Sequence, residues 1–159
     1  PKRWRGLVLA TVIQVDVGAR AFGTQASRGQ LLLTIRGQYE EELELLRGEL
    51  KRLAGEGAAA WGLDLEISFC DVFPGTVSHK SSNDKIRRAC RELGIPLREL
   101  TEPFRSSEDF GHYTKRIPGA FFEIGSGEAC SELHTTAMDF PDAIIPTAVD
   151  VFSRLIEEQ

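Results

Sequence analysis

From Leu7 to Val17 apolar and polar positions alternate, with Leu7, Leu9, Thr11, Ile13, Val15 and Val17 in one phase and Gln14 and Asp16 in the other. A period of two is that of a strand with one buried face, because successive side chains leave a pleated backbone on opposite sides. Gly18 and Gly23 punctuate the loop that follows, GARAFGTQASRG, and the alternation resumes over 30–36, QLLLTIR, with Leu31, Leu33 and Ile35 inward. Two alternating strands joined by such a loop predict an antiparallel pair. The period then lengthens. Tyr39, Leu43, Leu46, Leu50, Leu53 and Ala54 recur at helical spacing, and Ala58 and Trp61 continue the stripe. Glu40, Glu41, Glu42 and Glu44 at the start, with Lys51 and Arg52 later, suit the helix dipole. Gly48, Gly55 and Gly57 lower helix propensity and predict a bent or frayed later part. Alternation returns over 64–73, DLEISFCDVF, with Leu65, Ile67, Phe69 and Phe73 inward, so the first half reads β-β-α-β.

FPGTVS leaves this module, and the pattern turns mostly helical. A helix over about 82–93 would bury Ile86, Ala89, Cys90 and Leu93; Ser81 and Asp84 stand at capping-box spacing at its start, and Gly94 and Pro96 stop it. SSEDFGHYTKR reads as a loop running into another helix, with Ser106 and Asp109 again at capping-box spacing and Pro118 at the end. GAFFEIGSG is a short apolar strand closed by glycines, and SELHTTAMDF a polar loop. Residues 143–157 predict a final amphipathic helix with Ile145, Val149, Phe152 and Ile156 inward, in which Pro146 sits in the first turn or kinks the helix. The fold class is α+β or α/β: a partial ferredoxin-like β-β-α-β module over 1–74, then helix, helix, strand, helix over 75–159. Three strands and one helix cover only part of one side of a sheet. The balanced version has four strands and two helices, so the count predicts a further segment upstream.

Composition narrows the class. With 42% hydrophobic and 27% charged residues the chain is globular. A net charge of −5 argues against a nucleic-acid partner, which needs basic surface to neutralise phosphates. No apolar run has the length of a membrane span, and no secretory signal opens the chain, so the expectation is a cytoplasmic protein without a membrane partner. Cys70, Cys90 and Cys130 are odd in number, widely spaced and lack a CxxC, which excludes a zinc ribbon and a disulfide framework. They read as reduced, mostly buried thiols.

Candidate chemistry is sparse. The histidines are His79, His112 and His134, without HExxH or HxH, and taken singly each reads as a surface or hydrogen-bonded residue. Context favours His134, in a polar loop after a glycine-closed strand, where α/β sheets carry their active-site groups. Glu108 and Asp109 read as first-turn acids that satisfy free N–H groups; one can cap while the other faces a site. Gly23 in AFGTQ would let backbone N–H groups approach a ligand, although on the residues alone a plain hairpin connection is preferred. Arg105 and Arg116 are either carboxylate clamps or solvated surface. There is no serine-histidine-acid spacing and no phosphate-binding glycine motif.

The order SSEDFGHY, KRIPGAFFEIGSG, ELHTTAMDFPDAIIPTAV resembles the C-terminal part of the aminoacylase, hippurate hydrolase and carboxypeptidase-G family of dimetal metallopeptidases. That family shows a GSEDF-aromatic block, a PGxFFxxG strand, LHxxxFDF and a helix with an early proline. The β-β-α-β part, with AFGT, LTIR and FPGTVSH, resembles the later half of the family's inserted dimerisation or lid domain. The resemblance implies a partial lid over 1–74 and the C-terminal segment of an α/β zinc-peptidase catalytic domain over 75–159. It implies hydrolysis of the amide bond of N-acyl amino acids or small peptides by a water activated on two divalent metals, usually zinc and sometimes manganese, with a glutamate as general base. His134 matches a metal ligand. Glu108 and Asp109 match an acidic pair that shapes the site wall, and Gly23 and Thr24 lie in the lid loop on the substrate side. Two departures stand out: Ser106 replaces the family's glycine, and AFGTQAS replaces a frequent asparagine-valine-isoleucine-proline loop. The remaining ligands and the base glutamate are expected upstream of Pro1, so the chain alone is expected neither to hold zinc tightly nor to hydrolyse amides. A homodimer through the lid is also implied. The competing expectation is a non-catalytic dimerisation or binding module of the same fold.

Overall fold

The computed structural model of the protein describes residues 4–128 and 130–157. The chain divides into two units. Residues up to Gly75 together with Pro103–Ser106 form the first; Thr76–Glu102 and the residues from Ser107 onward form the second.

In the first unit, β1 (Val8–Val17) and β2 (Gly29–Gly37) pair antiparallel, from Val8 opposite Gly37 to Val17 opposite Gly29. The register slips once, between Val12 and Gln14, which leaves Ile13 without a cross-strand partner. Such a bulge shifts the phase of the strand. Val15 and Val17 therefore share the face of Val8, Ala10 and Val12, opposite Leu31, Leu33 and Ile35, while Leu9 and Thr11 lie on the face of Gln14 and Asp16. The single inward phase expected from Leu7 to Val17 is thus corrected. The bulge keeps an apolar face continuous where strict alternation would have broken it.

β2 runs almost directly into α1 (Glu40–Trp61), whose N-cap Tyr39 is extended. The helix continues through Gly48, Gly55 and Gly57 to Trp61, so the frayed end predicted from those glycines does not occur. Glu49 and Glu56 both bond Arg52, and Gly62 closes the helix with its N–H on the Ala59 carbonyl. At Gly37 a Cβ would lie 2.9 Å from the Leu43 Cβ and 3.2 Å from its backbone nitrogen, so only glycine lets α1 pack so close to the end of β2. Glu42, buried in the first turn, accepts the backbone N–H groups of Arg5 at 2.5 Å and Gly6 at 3.2 Å. A helix side chain thereby fastens the stretch that leads into β1.

The strand expected over 64–73 forms no ladder with any described residue. Asp71 adopts φ +48°, which breaks the extended run. Its alternation is real, but a strand also needs a neighbouring edge to take its N–H and C=O groups. Phe69 instead lies under the cations of α1, with Lys51 Nζ 4.9 Å and the Arg47 guanidinium 5.3 Å from its ring centre.

In the second unit, α2 (Lys80–Glu92) begins after an extended His79 that makes no side-chain cap. The predicted Ser81–Asp84 capping box is therefore absent. Asp84 instead takes Lys80 Nζ at 2.5 Å and the Arg87 guanidinium at 2.8 Å. α3 (Gly111–Thr114) is a single turn. A 3₁₀ turn at Asp142–Ile144 leads into α4 (Ile145–Glu157), which places Pro146 in the first turn, where its missing N–H has no intrahelical role. The core is small: Ile86, Cys90 and Val151, with Ile95, Ala120, Phe122 and Leu155 packed against them. Arg154 Nε reaches Glu92 at 2.6 Å and ties α4 to α2.

The expected inner face of α4 is corrected. Val151 and Leu155 face the core, whereas Ile145, Val149, Phe152 and Ile156 are each about half exposed. The helix carries two apolar stripes, and contact with α2 selects the Val151 stripe. The cysteines also differ from expectation: Cys90 is buried, Cys130 half-buried and Cys70 exposed. No described helix is long and apolar enough to cross a membrane.

Candidate functional site

His134 stands out by its backbone. Its φ of +66° lies in the left-handed region, a conformation that a side chain with a Cβ adopts at some cost. The surrounding loop is held by short bonds. Thr135 Oγ1 donates to the Glu132 carbonyl at 2.9 Å, and the Met138 N–H donates to the Thr135 carbonyl at 3.2 Å. The imidazole is exposed, as is Leu133 beside it. The loop thus presents one ring, which offers a lone pair when neutral.

Glu108 and Asp109 precede α3 and are both exposed. Neither carboxylate caps the turn: Phe110 is its N-cap, without a side-chain bond, and Asp109 contributes its carbonyl to the His112 N–H at 2.9 Å. The first-turn capping read from Ser106 and Asp109 is therefore not formed, which leaves both carboxylates facing outward. Phe110 fixes their place. Its ring lies 5.7 Å from Tyr113 and 5.6 Å from Phe121, and a Cβ on Gly119 would touch it at 3.7 Å. Below the ring, Thr114 is buried and bonds the Gly111 carbonyl.

The segment 119–124, expected as a strand, forms no ladder among the described residues. Its backbone is met instead by Ser78 and His79. The His79 N–H donates to the Gly119 carbonyl at 2.8 Å, and the Gly119 N–H donates to His79 Nδ1 at 3.2 Å. The Phe121 N–H donates to Ser78 Oγ at 3.0 Å. From the sequence His79 reads as a surface or hydrogen-bonded residue, and Ser78 carries no signal. Neither periodicity nor spacing links them to a segment 40 residues away.

Gly23 and Thr24 belong to the first unit, whereas Glu108, Asp109 and His134 belong to the second. Gly23 has φ +76° and open space where a Cβ would stand. That left-handed backbone favours glycine at this bend of the loop. Gly18 donates its N–H to the Arg28 carbonyl at 2.8 Å and closes the base of this loop, while Phe22 projects from it fully into solvent. Of the two arginines considered as clamps, Arg105 offers its carbonyl to the Arg36 guanidinium at 2.8 Å.

The metal expectation meets a clear test. Among the described residues no group of three or more histidine, cysteine, aspartate or glutamate side chains converges. A catalytic metal site needs about three protein ligands and an open position. His134 and its described neighbours therefore do not make such a centre by themselves. A concavity of the second unit is apolar, about 590 Å³, lined by Phe122, Ile124, Phe140, Ile144, Val149 and Phe152. It contains none of the predicted site residues.

A model of peptidase family M20/M25/M40 matches residues 6–158. An uncharacterized hydrolase of Staphylococcus epidermidis is 24% identical over 141 residues, which is 86% of this chain and 37% of that protein. One from Staphylococcus aureus (strain bovine RF122 / ET3-1) is 23% identical with the same coverage. The chain thus spans 37% of the length of these curated relatives. Its fold is similar to the crystal structure of Bacillus subtilis YxeP, described as a dinuclear metal binding peptidase, with a TM-score of 0.75 at 21% identity over 93% of this chain and 40% of that one.

Proposed function

We propose that this chain, which belongs to peptidase family M20/M25/M40, supplies the C-terminal part of a metal-dependent amide hydrolase acting on N-acyl amino acids or small peptides. The observation that carries the reading is the family match running through residues 6–158, with His134 raised on a left-handed backbone in the loop of its best-marked block. In this reading His134 gives one imidazole nitrogen to a dinuclear centre, of zinc or manganese, and the other ligands and the general base come from elsewhere in the whole protein. When bound, two divalent ions supply a water of lowered pKa and polarise the carbonyl oxygen.

The chain's own work is then to place groups. The loop bonds of Thr135 and Met138 hold His134 in one backbone conformation. Glu108 and Asp109, exposed and just ahead of Phe110 in the chain, form an acidic wall that disfavours anionic groups on that side. Gly23 and Thr24 belong to the lid loop on the substrate side. The three free cysteines support a reducing, cytoplasmic location.

The test is the whole protein, with metal content and hydrolysis of N-acyl amino acids and dipeptides measured side by side. Wild type is expected to hold about two divalent ions per chain and to cleave at least one of these classes. His134→Ala is expected to lose one ion and about 100-fold or more in kcat, since removing even the partners of metal ligands costs about 10–100-fold. Unchanged metal content in His134→Ala would sink the assignment.

A second reading has its own observation. β1 and β2 form a two-stranded sheet, with Val12, Ile13, Val15, Val17 and Leu31 each more than half exposed. Open edges and an apolar face favour pairing with a second copy. The module is accordingly proposed to dimerise, with or without catalysis. Light scattering that shows a monomer at high concentration refutes this.

A further inference from the structure

The segment 119–122 lies between the core and the acidic wall. Ala120 and Phe122 pack on Ile86, Cys90 and Val151, while the Phe121 ring meets that of Phe110, which follows Asp109, at a tilt of 52°. In an extended chain the N–H and C=O of alternate residues point to the same neighbour. Here those residues are Gly119 and Phe121, and Ser78 and His79 bond to both. Ser78 Oγ accepts the Phe121 N–H at 3.0 Å and lies 3.5 Å from the Phe121 carbonyl. His79 gives its N–H to the Gly119 carbonyl at 2.8 Å, and its Nδ1 lies 3.2 Å from the Gly119 nitrogen and 3.3 Å from the Gly119 oxygen. Two adjacent residues thus cover a stretch of three, because their side chains extend the reach of their backbone.

We infer that Ser78 and His79 are positioning residues for the site wall: their side chains replace a neighbouring strand along 119–121, with His79 held as the Nε2–H tautomer so that the Nδ1 lone pair takes the Gly119 N–H. The tautomer follows from the count of partners. The Gly119 carbonyl already accepts the His79 N–H, so a proton on Nδ1 would add a second donor to one oxygen and take the acceptor from the Gly119 N–H. Residue 79 therefore needs an acceptor at the Nδ1 position, and a cation there would not serve. That the brace serves a catalytic site rests on the function proposed above; the brace itself does not.

Nitrogen-15 spectroscopy of the protein tests this directly. In wild type, His79 Nδ1 is expected to resonate as an unprotonated, pyridine-type nitrogen at neutral pH; a pyrrole-type Nδ1 overturns the inference. Loss of one such bond is expected to speed exchange of the Gly119 amide about tenfold in His79→Gln, whose acceptor falls near the Nε2 position. His79→Asn, whose side-chain oxygen falls near Nδ1, is expected to keep the wild-type rate. Equal rates in the two variants overturn the inference. Ser78→Ala is expected to speed exchange at Phe121, leave Gly119 unchanged and shift the Phe110 ring signals. Unmoved Phe110 signals break the link to the wall. Should a variant fail to fold, the wild-type tautomer still decides. These readouts do not involve hydrolysis, so an inactive whole protein would refute the proposed function and leave the brace standing.

Discussion

Glu42 is the residue on which the entry into β1 depends. Its side chain is 7% exposed, and its two oxygens accept the N–H groups of Arg5 at 2.5 Å and Gly6 at 3.2 Å. Glu42→Ala leaves both donors without their acceptor in a partly buried place. A hydrogen bond to a charged group contributes about 1.5–3 kcal/mol. The Gly6 bond is the longer of the two, and re-entry of water recovers part of the loss, so Glu42→Ala is expected to cost about 3 kcal/mol. Glu42→Gln keeps one acceptor oxygen and should cost about half as much. The Arg5 side chain, 3.7 Å from Glu42 but 66% exposed, adds little, as exposed ion pairs contribute about 0–1 kcal/mol. Glu41 is the control. It pairs with the same arginine at 3.3 Å, yet its side chain is 78% exposed and meets no backbone donor among the described residues of that stretch, so Glu41→Ala should stay within about 0.5 kcal/mol. The assay is urea unfolding read at the first unit, with amide exchange at Arg5 and Gly6. With a urea slope of about 2 kcal/mol per molar, Glu42→Ala moves the midpoint down by about 1.5 M. Equal midpoints for Glu42→Ala and Glu41→Ala would refute the reasoning, because they would show that the buried bonds contribute no more than the exposed pair.

Gly37→Ala should destabilise the first unit by about 1–3 kcal/mol in the same assay, because the new methyl meets Leu43 at 2.9 Å, whereas Gly48→Ala, with open space around it in α1, should stabilise by about 0.5–1 kcal/mol. Val151→Ala should cost the second unit about 2 kcal/mol in thermal or urea unfolding, and Val149→Ala on the exposed stripe under about 0.5 kcal/mol. Bonds from Lys80, and then Arg87, hold the Asp84 carboxyl below its ordinary value, and bonds from Arg87 do the same for Glu99. The folded values lie below the unfolded ones, so this stabilisation is complete above the ordinary carboxylate range and is lost as pH falls through the depressed values. An acid titration of the unfolding midpoint should therefore flatten in Asp84→Asn, and the difference should shrink in high salt.

The antiparallel pair β1–β2, the long helix α1, the core helix α2 and the early proline of α4 were all legible in the sequence. Each depends on near neighbours along the chain: a period of two or of 3.6, a glycine stop, or a proline tolerated in a first turn. The family blocks around Phe110, Phe121 and His134 were legible for a similar reason, since they are runs of consecutive residues. What only the tertiary structure decided involves partners far apart in the chain. The slip at Ile13 depends on how β1 meets β2. Which apolar stripe of α4 is buried depends on α2, and it is that of Val151. Residues 64–73 and 119–124 alternate or run apolar as strands do, but a ladder requires a second edge, and periodicity carries no record of where that edge lies. The same limit hid Ser78 and His79, whose role exists only because folding brings Gly119 and Phe121 against them.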